Sequence, residues 1–186
     1  MIARAATTSR VTDGELVELA RHGDSAAFEA LVRDRLDSMF RRAWAILGNE
    51  ADARDATQDA FVSAWRELPR LRDVAAFDAW LGRVLVNACR MHARRRGRVR
   101  EVPIELESHD VAAARSGQDA VDDVDSIHRA FDRLDVEARA LLVMHHLQHR
   151  PLADIAAALG VPVGTAKSRL HRARTALETA LAGEQR

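Results

Sequence analysis

The stretch "PLADIAAALGVPVGTAKSRLHRAR", Pro151 to Arg174, holds two periodic runs on either side of Gly160, Val161 and Pro162. In the first run Ile155, Ala156 and Leu159 fall on one helical face, and Gly160 then supplies a tight turn. In the second run Ala166, Leu170, Ala173 and Leu177 recur at i, i+4, i+7 and i+11, which commits them to a core. Lys167, Ser168, His171 and Arg172 are left facing outward in the N-terminal half of that helix. An Ala-rich helix, a Gly turn and a second helix with its polar side outward predict a helix-turn-helix, whose second helix enters a major groove. Lys and Arg donate to guanine O6 and N7 and to phosphates, and the helix N-terminus adds its own positive end. An ordinary helical hairpin with a solvated basic face would not require all three features together.

The surrounding chain bounds what this motif can belong to. Its 186 residues suffice for one medium domain or two small ones, and 47% hydrophobic with 30% charged residues argues against disorder throughout. Tyr is missing, and Ala, Leu, Arg and Asp dominate, so an all-α fold is expected. The 28 Lys plus Arg balance 28 Asp plus Glu, so a basic face must be offset by acids elsewhere. A single cysteine, Cys89, rules out an internal disulfide framework. The start "MIARAATTSR" lacks the apolar run of a secretory signal, and no stretch approaches the roughly 18 apolar residues of a membrane span. These features predict a cytoplasmic protein with no direct membrane insertion.

Asp13 to Arg21 and Ser25 to Leu47 show helical spacing, and Gly48-Asn49 reads as a helix stop followed by a new N-cap. A third helix is expected from about Ala51 to Leu68, closed by Pro69, and a fourth from about Ala75 to Arg96. These four helices predict a first domain over residues 13–97. Periodicity is lost after Gly97, and between Glu101 and Asp125 eight acids accompany one base, Arg115, which predicts a flexible acidic linker over 98–122. A second helical domain follows over 123–182, with breaks near Leu134-Asp135, His149 to Pro151 and Gly160 to Pro162.

Two faces of the first domain carry opposite charge. On the fourth helix Phe77, Trp80, Leu81, Val84, Leu85 and Ala88 form the expected buried stripe, while Arg83, Asn87, Arg90 and Arg94 form a second stripe. Seven arginines and no acid lie between Arg83 and Arg100, a one-sign ridge suited to a phosphate backbone, with an Asn able to read a base edge. The third helix is expected to bury Phe61, Trp65 and Leu68 and to display Asp52, Asp55, Gln58 and Asp59. Asp52 fits an acid complementing the helix dipole, whereas Asp55, Gln58 and Asp59 lie deeper and suit an acidic protein-docking face.

"DARDATQDAFVSAWRELPRL", "FDAWLGRVLVNACRMHARRR" and the helix-turn-helix stretch are similar to the second and fourth conserved regions of bacterial sigma factors, specifically the compact extracytoplasmic-function type. The resemblance covers about residues 13 to 182. It implies a promoter-specificity subunit of core RNA polymerase that recognises promoter DNA. It also implies that Asp55, Gln58, Asp59 and Phe61 belong to the surface that docks on the largest polymerase subunits. The loop Arg70 to Ala76 and the ridge of Arg83, Asn87, Arg90 and Arg94 would recognise and open the minus-10 element. Lys167, Ser168, His171 and Arg172 fall where the family reads the minus-35 element. Arg54 and Ala56-Thr57 depart from the usual docking pattern of an acid and two aliphatics, and Ala166 replaces a usual Val. An anti-sigma factor, often membrane-tethered, is a further implied partner.

Other classes fit less of the chain. His145 and His149 stand at i, i+4 as in helical zinc sites, but no Glu base lies between them and no third ligand is evident, so neither an enzyme nor a metal or other cofactor is expected. A DNA-binding regulator that recruits no polymerase would use the helix-turn-helix and leave the acidic helix and arginine ridge without a purpose.

Overall fold

The computed structural model describes residues 12–100, 127, 129–147 and 149–184, and among them the regular structure is entirely helical. Each helix opens on a cap written locally in the sequence. Helix α1, Asp13–Arg21, has a capping box: the Glu15 N–H donates to Thr12 Oγ1 at 3.3 Å, and the Thr12 N–H donates to Glu15 Oε2 at 2.7 Å. Asp24 accepts from the Ala27 N–H at 3.0 Å and opens α2, Ser25–Leu47. Gly48 ends that helix at φ 76°, a conformation that glycine adopts without a Cβ clash. Asn49 then accepts from the Asp52 N–H at 2.8 Å and starts α3, Glu50–Glu67.

Two 3-10 turns, Leu68–Arg70 and Val74–Ala76, lead into α4, Phe77–Arg100. That helix continues past residue 98, where a linker was expected to begin. The rest of the expected linker, 101–122, lies outside the described residues.

Ala53, Ala56, Ala60 and Ala64 are fully buried along one face of α3. Their small size lets α3 nest closely against α2 and α4, where Leu31, Met39, Ile46, Leu81 and Leu85 fill the space between helices. Arg35 ties three elements together: its Nε donates to Asp78 of α4 at 2.7 Å and its Nη2 to Asp13 of α1 at 2.6 Å. Its guanidinium also lies 5.3 Å from the centroid of the Phe77 ring.

The expected buried stripe of α4 needs correction. Trp80 and Val84 are half-buried, while Val86 and Cys89 are fully enclosed. Helix α4 packs on α2 and α3 and also on the second helical unit, so its burial extends beyond a single stripe. Enclosure pushes the Cys89 thiol up to about 12 and keeps it neutral at ordinary pH. The native protein at pH 8 is therefore expected to resist a thiol-specific reagent, whereas the protein in denaturant reacts at once. Rapid labelling of the native chain would contradict that burial.

In the second unit, residues 129–132 are helical. Asp135 accepts from the Ala138 N–H at 2.7 Å and opens α5, Val136–Leu142, which passes into a π-helical turn, Val143–Leu147. Helices α6, Leu152–Leu159, and α7, Val163–Glu184, follow. The π turn was not foreseeable from apolar spacing. The α6–α7 corner is a Schellman turn: Gly160 stands at φ 66°, the Val161 N–H donates to the Ala156 carbonyl at 3.0 Å, and the Gly160 N–H donates to that of Ala157 at 3.3 Å.

The two units touch. Helix α5 lies against α2 and α4, and α6 lies against α4. A Cβ at Gly48 would stand 2.7 Å from Arg139 Nη1 and 2.9 Å from Asp132 Oδ1, so the turn after α2 must be bare for the second unit to approach.

Candidate DNA and polymerase interfaces

Four consecutive turns of α3 determine what its outer face offers. Asp55 and Gln58 are exposed. Asp59 is half-buried, with its Oδ2 2.9 Å from Nε2 of His92 on α4. Asp52 accepts from Asn49 Nδ2 at 2.6 Å and from Arg96 Nη1 at 3.1 Å, which fits its capping role. Phe61 is only 8% exposed and belongs to the core, so it is not part of an open surface. Trp65, expected inside, is 36% exposed and lies 5.0 Å from Phe28 between ring centroids. Ala56 and Thr57 also face inward, and the Thr57 hydroxyl donates to the Ala53 carbonyl at 2.7 Å.

The outward strip of α3 is thus Asp55, Gln58, Val62 and Trp65, spaced at i, i+3, i+7 and i+10. Val62, 41% exposed, was missed by sequence reasoning. Its one signal was position: it continues the helical face that Asp55 and Gln58 begin.

The loop before α4 is held in place from both sides. Arg21 Nη1 donates to the Leu71 carbonyl at 3.1 Å, and Asp73 accepts from the Ala75 N–H at 3.0 Å. Leu71 is buried, which leaves Arg70 and Arg72 exposed beside it. On α4 itself Asn87 and Arg94 are exposed, but the other two members of the stripe are not free. Arg90 Nε donates to Glu137 Oε1 of α5 at 2.6 Å, and Arg83 is half-buried. The structure therefore brings the four residues onto one helix without leaving them one open ridge.

The N-terminal half of α7 matches the sequence expectation. Lys167, Ser168, His171 and Arg172 are all exposed, while Ala166, Leu170 and Ala173 are buried beneath them. The Ser168 hydroxyl donates to the Thr165 carbonyl at 3.0 Å, which fixes its rotamer against the helix.

The histidines do not make a helical ligand pair. The helical geometry ends at Leu147, and His149 sits outside it at φ 47°. Burial, then neighbouring His145, Arg174 and His149, lower the pKa of His146 and favour its neutral ring. That state suits the contact in which Arg174 Nε donates to His146 Nε2 at 3.4 Å. Among the described residues no group of three or more His, Cys, Asp or Glu is arranged to hold a metal ion, and no helix is long and apolar enough to cross a membrane.

Residues 31–99 match the family model described as Sigma-70 region 2, and residues 125–177 match that of Sigma-70, region 4. Among curated proteins, the chain is 38% identical over 166 residues to the ECF RNA polymerase sigma factor SigM of Mycobacterium tuberculosis, covering 89% of this chain and 83% of that protein. It is 32% identical over 182 residues to the RNA polymerase sigma-H factor of Pseudomonas aeruginosa, covering 91% and 93%. Among solved structures, the sigma factor RpoE in complex with the anti-sigma factor NepR, from Bartonella quintana, aligns with a TM-score of 0.66 at 26% identity, covering 83% of this chain and 96% of that one. CnrH in complex with the cytosolic domain of CnrY aligns at 0.62 and 26%, covering 92% and 97%. A regulator built on the helix-turn-helix alone would leave the region 2 match unexplained. With both conserved regions matched in order and relatives above 30% identity along most of its length, the chain belongs to the extracytoplasmic-function group of sigma-70 RNA polymerase sigma factors.

Proposed function

We propose that this sigma factor divides its work between two units, residues 13–97 and 123–182, joined by the acidic segment 98–122. The outer face of α3 docks on core RNA polymerase through Asp55 and Gln58, with Val62 and Trp65 adding apolar contact. Helix α4 and the loop before it take the minus-10 element through Arg83, Asn87, Arg90 and Arg94. The start of α7 takes the minus-35 element through Lys167, Ser168, His171 and Arg172. The carrying observation is the opposition of two exposed surfaces: an acidic and apolar strip on α3, and an acid-free polar quartet at the start of α7. The first would repel a phosphate backbone, and the second attracts one.

The protein acts in the cytoplasm by binding rather than by catalysis. An anti-sigma factor is its natural antagonist, since two of its structural neighbours were solved with partners of that kind or in a comparable complex. An apolar groove of about 750 Å³, lined by Trp44, Phe131, Leu142, Leu147, Leu177 and Leu181, is suited to the apolar side of a partner helix.

Run-off transcription from a promoter template, with core polymerase alone and with this chain added, tests the reading. Promoter-specific transcripts are expected only when the chain is present. Within that assay Arg172→Ala is expected to cost about 1 to 3 kcal/mol of discrimination at the upstream element, whereas Arg94→Ala weakens binding uniformly and reduces the salt slope by about one. Equal losses on specific and scrambled upstream sequences for Arg172→Ala would make it a phosphate contact.

A further inference from the structure

We propose that Arg42 of α2, Arg83 of α4 and Arg150 just before α6 form a site for a small phosphate-class anion at the seam between the two helical units, complete only while those units are packed together. Arg150 carries most of the case. Its side chain is 8% exposed, yet its Nη2 is buried with no hydrogen-bond partner. Its Nη1 reaches Asp154 Oδ2 only at 3.4 Å, and that carboxylate is half open to water. The backbone N–H of Arg150 donates to the Met144 carbonyl at 3.1 Å, which fixes the loop that delivers the side chain to the seam.

The surroundings are of the wrong sign for a buried guanidinium. Burial and then the nearby charge of Arg83 lower the pKa of Arg150, with Arg42 adding to the effect and Asp154 opposing it. Asp78 also acts on Arg42, but its Oδ1 already accepts from Arg35 Nε at 2.7 Å. Three guanidiniums thus share one weakly engaged carboxylate. An arginine cannot relieve this by losing its proton, so a bound anion is the remaining compensation.

Phosphate fits best because a guanidinium offers paired N–H donors that match two phosphate oxygens. The narrow exposure of Arg150 admits a small ion and excludes a duplex backbone. Arg42 and Arg83 belong to one unit and Arg150 to the other, so such an ion would bridge them where the bare chain has like charges facing each other. The site depends on the packing of the units and not on which surface meets polymerase.

Thermal melting of the full chain in sodium phosphate or pyrophosphate, against sodium chloride at matched pH and ionic strength, tests the site. At about ten times its Kd, phosphate is expected to raise Tm by about 3 to 6 °C above chloride. Arg150→Gln and Arg42→Gln should each weaken that response by about tenfold in phosphate concentration. Arg33→Gln, an exposed change elsewhere on α2, should leave it intact. Small-angle scattering should show a smaller radius of gyration in phosphate than in chloride for the parent chain and no difference for Arg150→Gln. Equal melting in phosphate and chloride would overturn the proposal. So would a phosphate or sulfate response that survives Arg150→Gln and Arg42→Gln, since that would be general salting-out. If Arg150→Gln does not fold, Arg42→Gln decides. Stabilisation by a short duplex but not by phosphate, lost in Arg42→Gln, would replace the small ion with nucleic acid and also overturn it.

Discussion

The chain carrying Asp55→Arg together with Gln58→Arg is expected to lose affinity for core polymerase by at least about a hundredfold while keeping its fold. Two new cations on the outer strip of α3 would face the basic surface that an acidic docking strip implies. Like charges brought together at an interface cost several kcal/mol, and roughly 3 kcal/mol already corresponds to about a hundredfold in Kd. Both side chains are exposed. Substitutions at such positions change stability by only about 0.5 kcal/mol. Asp59 is left unchanged because its contact with His92 at 2.9 Å ties α3 to α4, and a loss there would mix docking with packing. Co-purification with core polymerase, beside circular dichroism of the variant, is the measurement. Undiminished binding by the folded double variant would remove α3 from the docking surface.

Without core polymerase, the chain is expected to bind promoter DNA hardly better than scrambled DNA, and core should then create selectivity that depends on the spacing between the two elements. Elements two turns of duplex apart lie about 70 Å from each other, at roughly 35 Å per turn. A compact body of this length has a radius of gyration near 16 Å, so it is only about 40 Å across. With the units packed together, one body cannot present α4 and α7 at the required separation. Packing also engages the minus-10 face directly, through Arg90 and Glu137 at 2.6 Å. Separating the units therefore has to break that ion pair and the approach of Arg139 to Gly48, and polymerase contacts must supply the free energy. Equilibrium binding to labelled duplexes with normal and lengthened spacers, at fixed salt and with or without core, measures the effect. Tight, spacing-dependent binding by the chain alone would refute it.

Thr12 with Glu15, Asp24, Asn49, Asp135, Gly48 and Gly160 were legible because each acts on a hydrogen bond or a φ angle within five residues of itself. Helix number, type and most boundaries follow from such local chemistry, and so does the outward quartet on α7, whose opposite face is buried. Val62, the enclosure of Val86 and Cys89, the exchange of roles between Phe61 and Trp65, and the half-closed arginine ridge were not legible. Helical periodicity shows that one face is apolar, but how far burial extends around a helix depends on what packs beside it. Here the neighbour of Arg90 is Glu137, 47 positions away. The sequence by itself determined an all-helical chain with two reading surfaces of opposite charge. The tertiary structure decided which of their side chains are free, because only the packing of the two units buries Arg139 and Arg150, engages Arg90 and requires a bare Gly48.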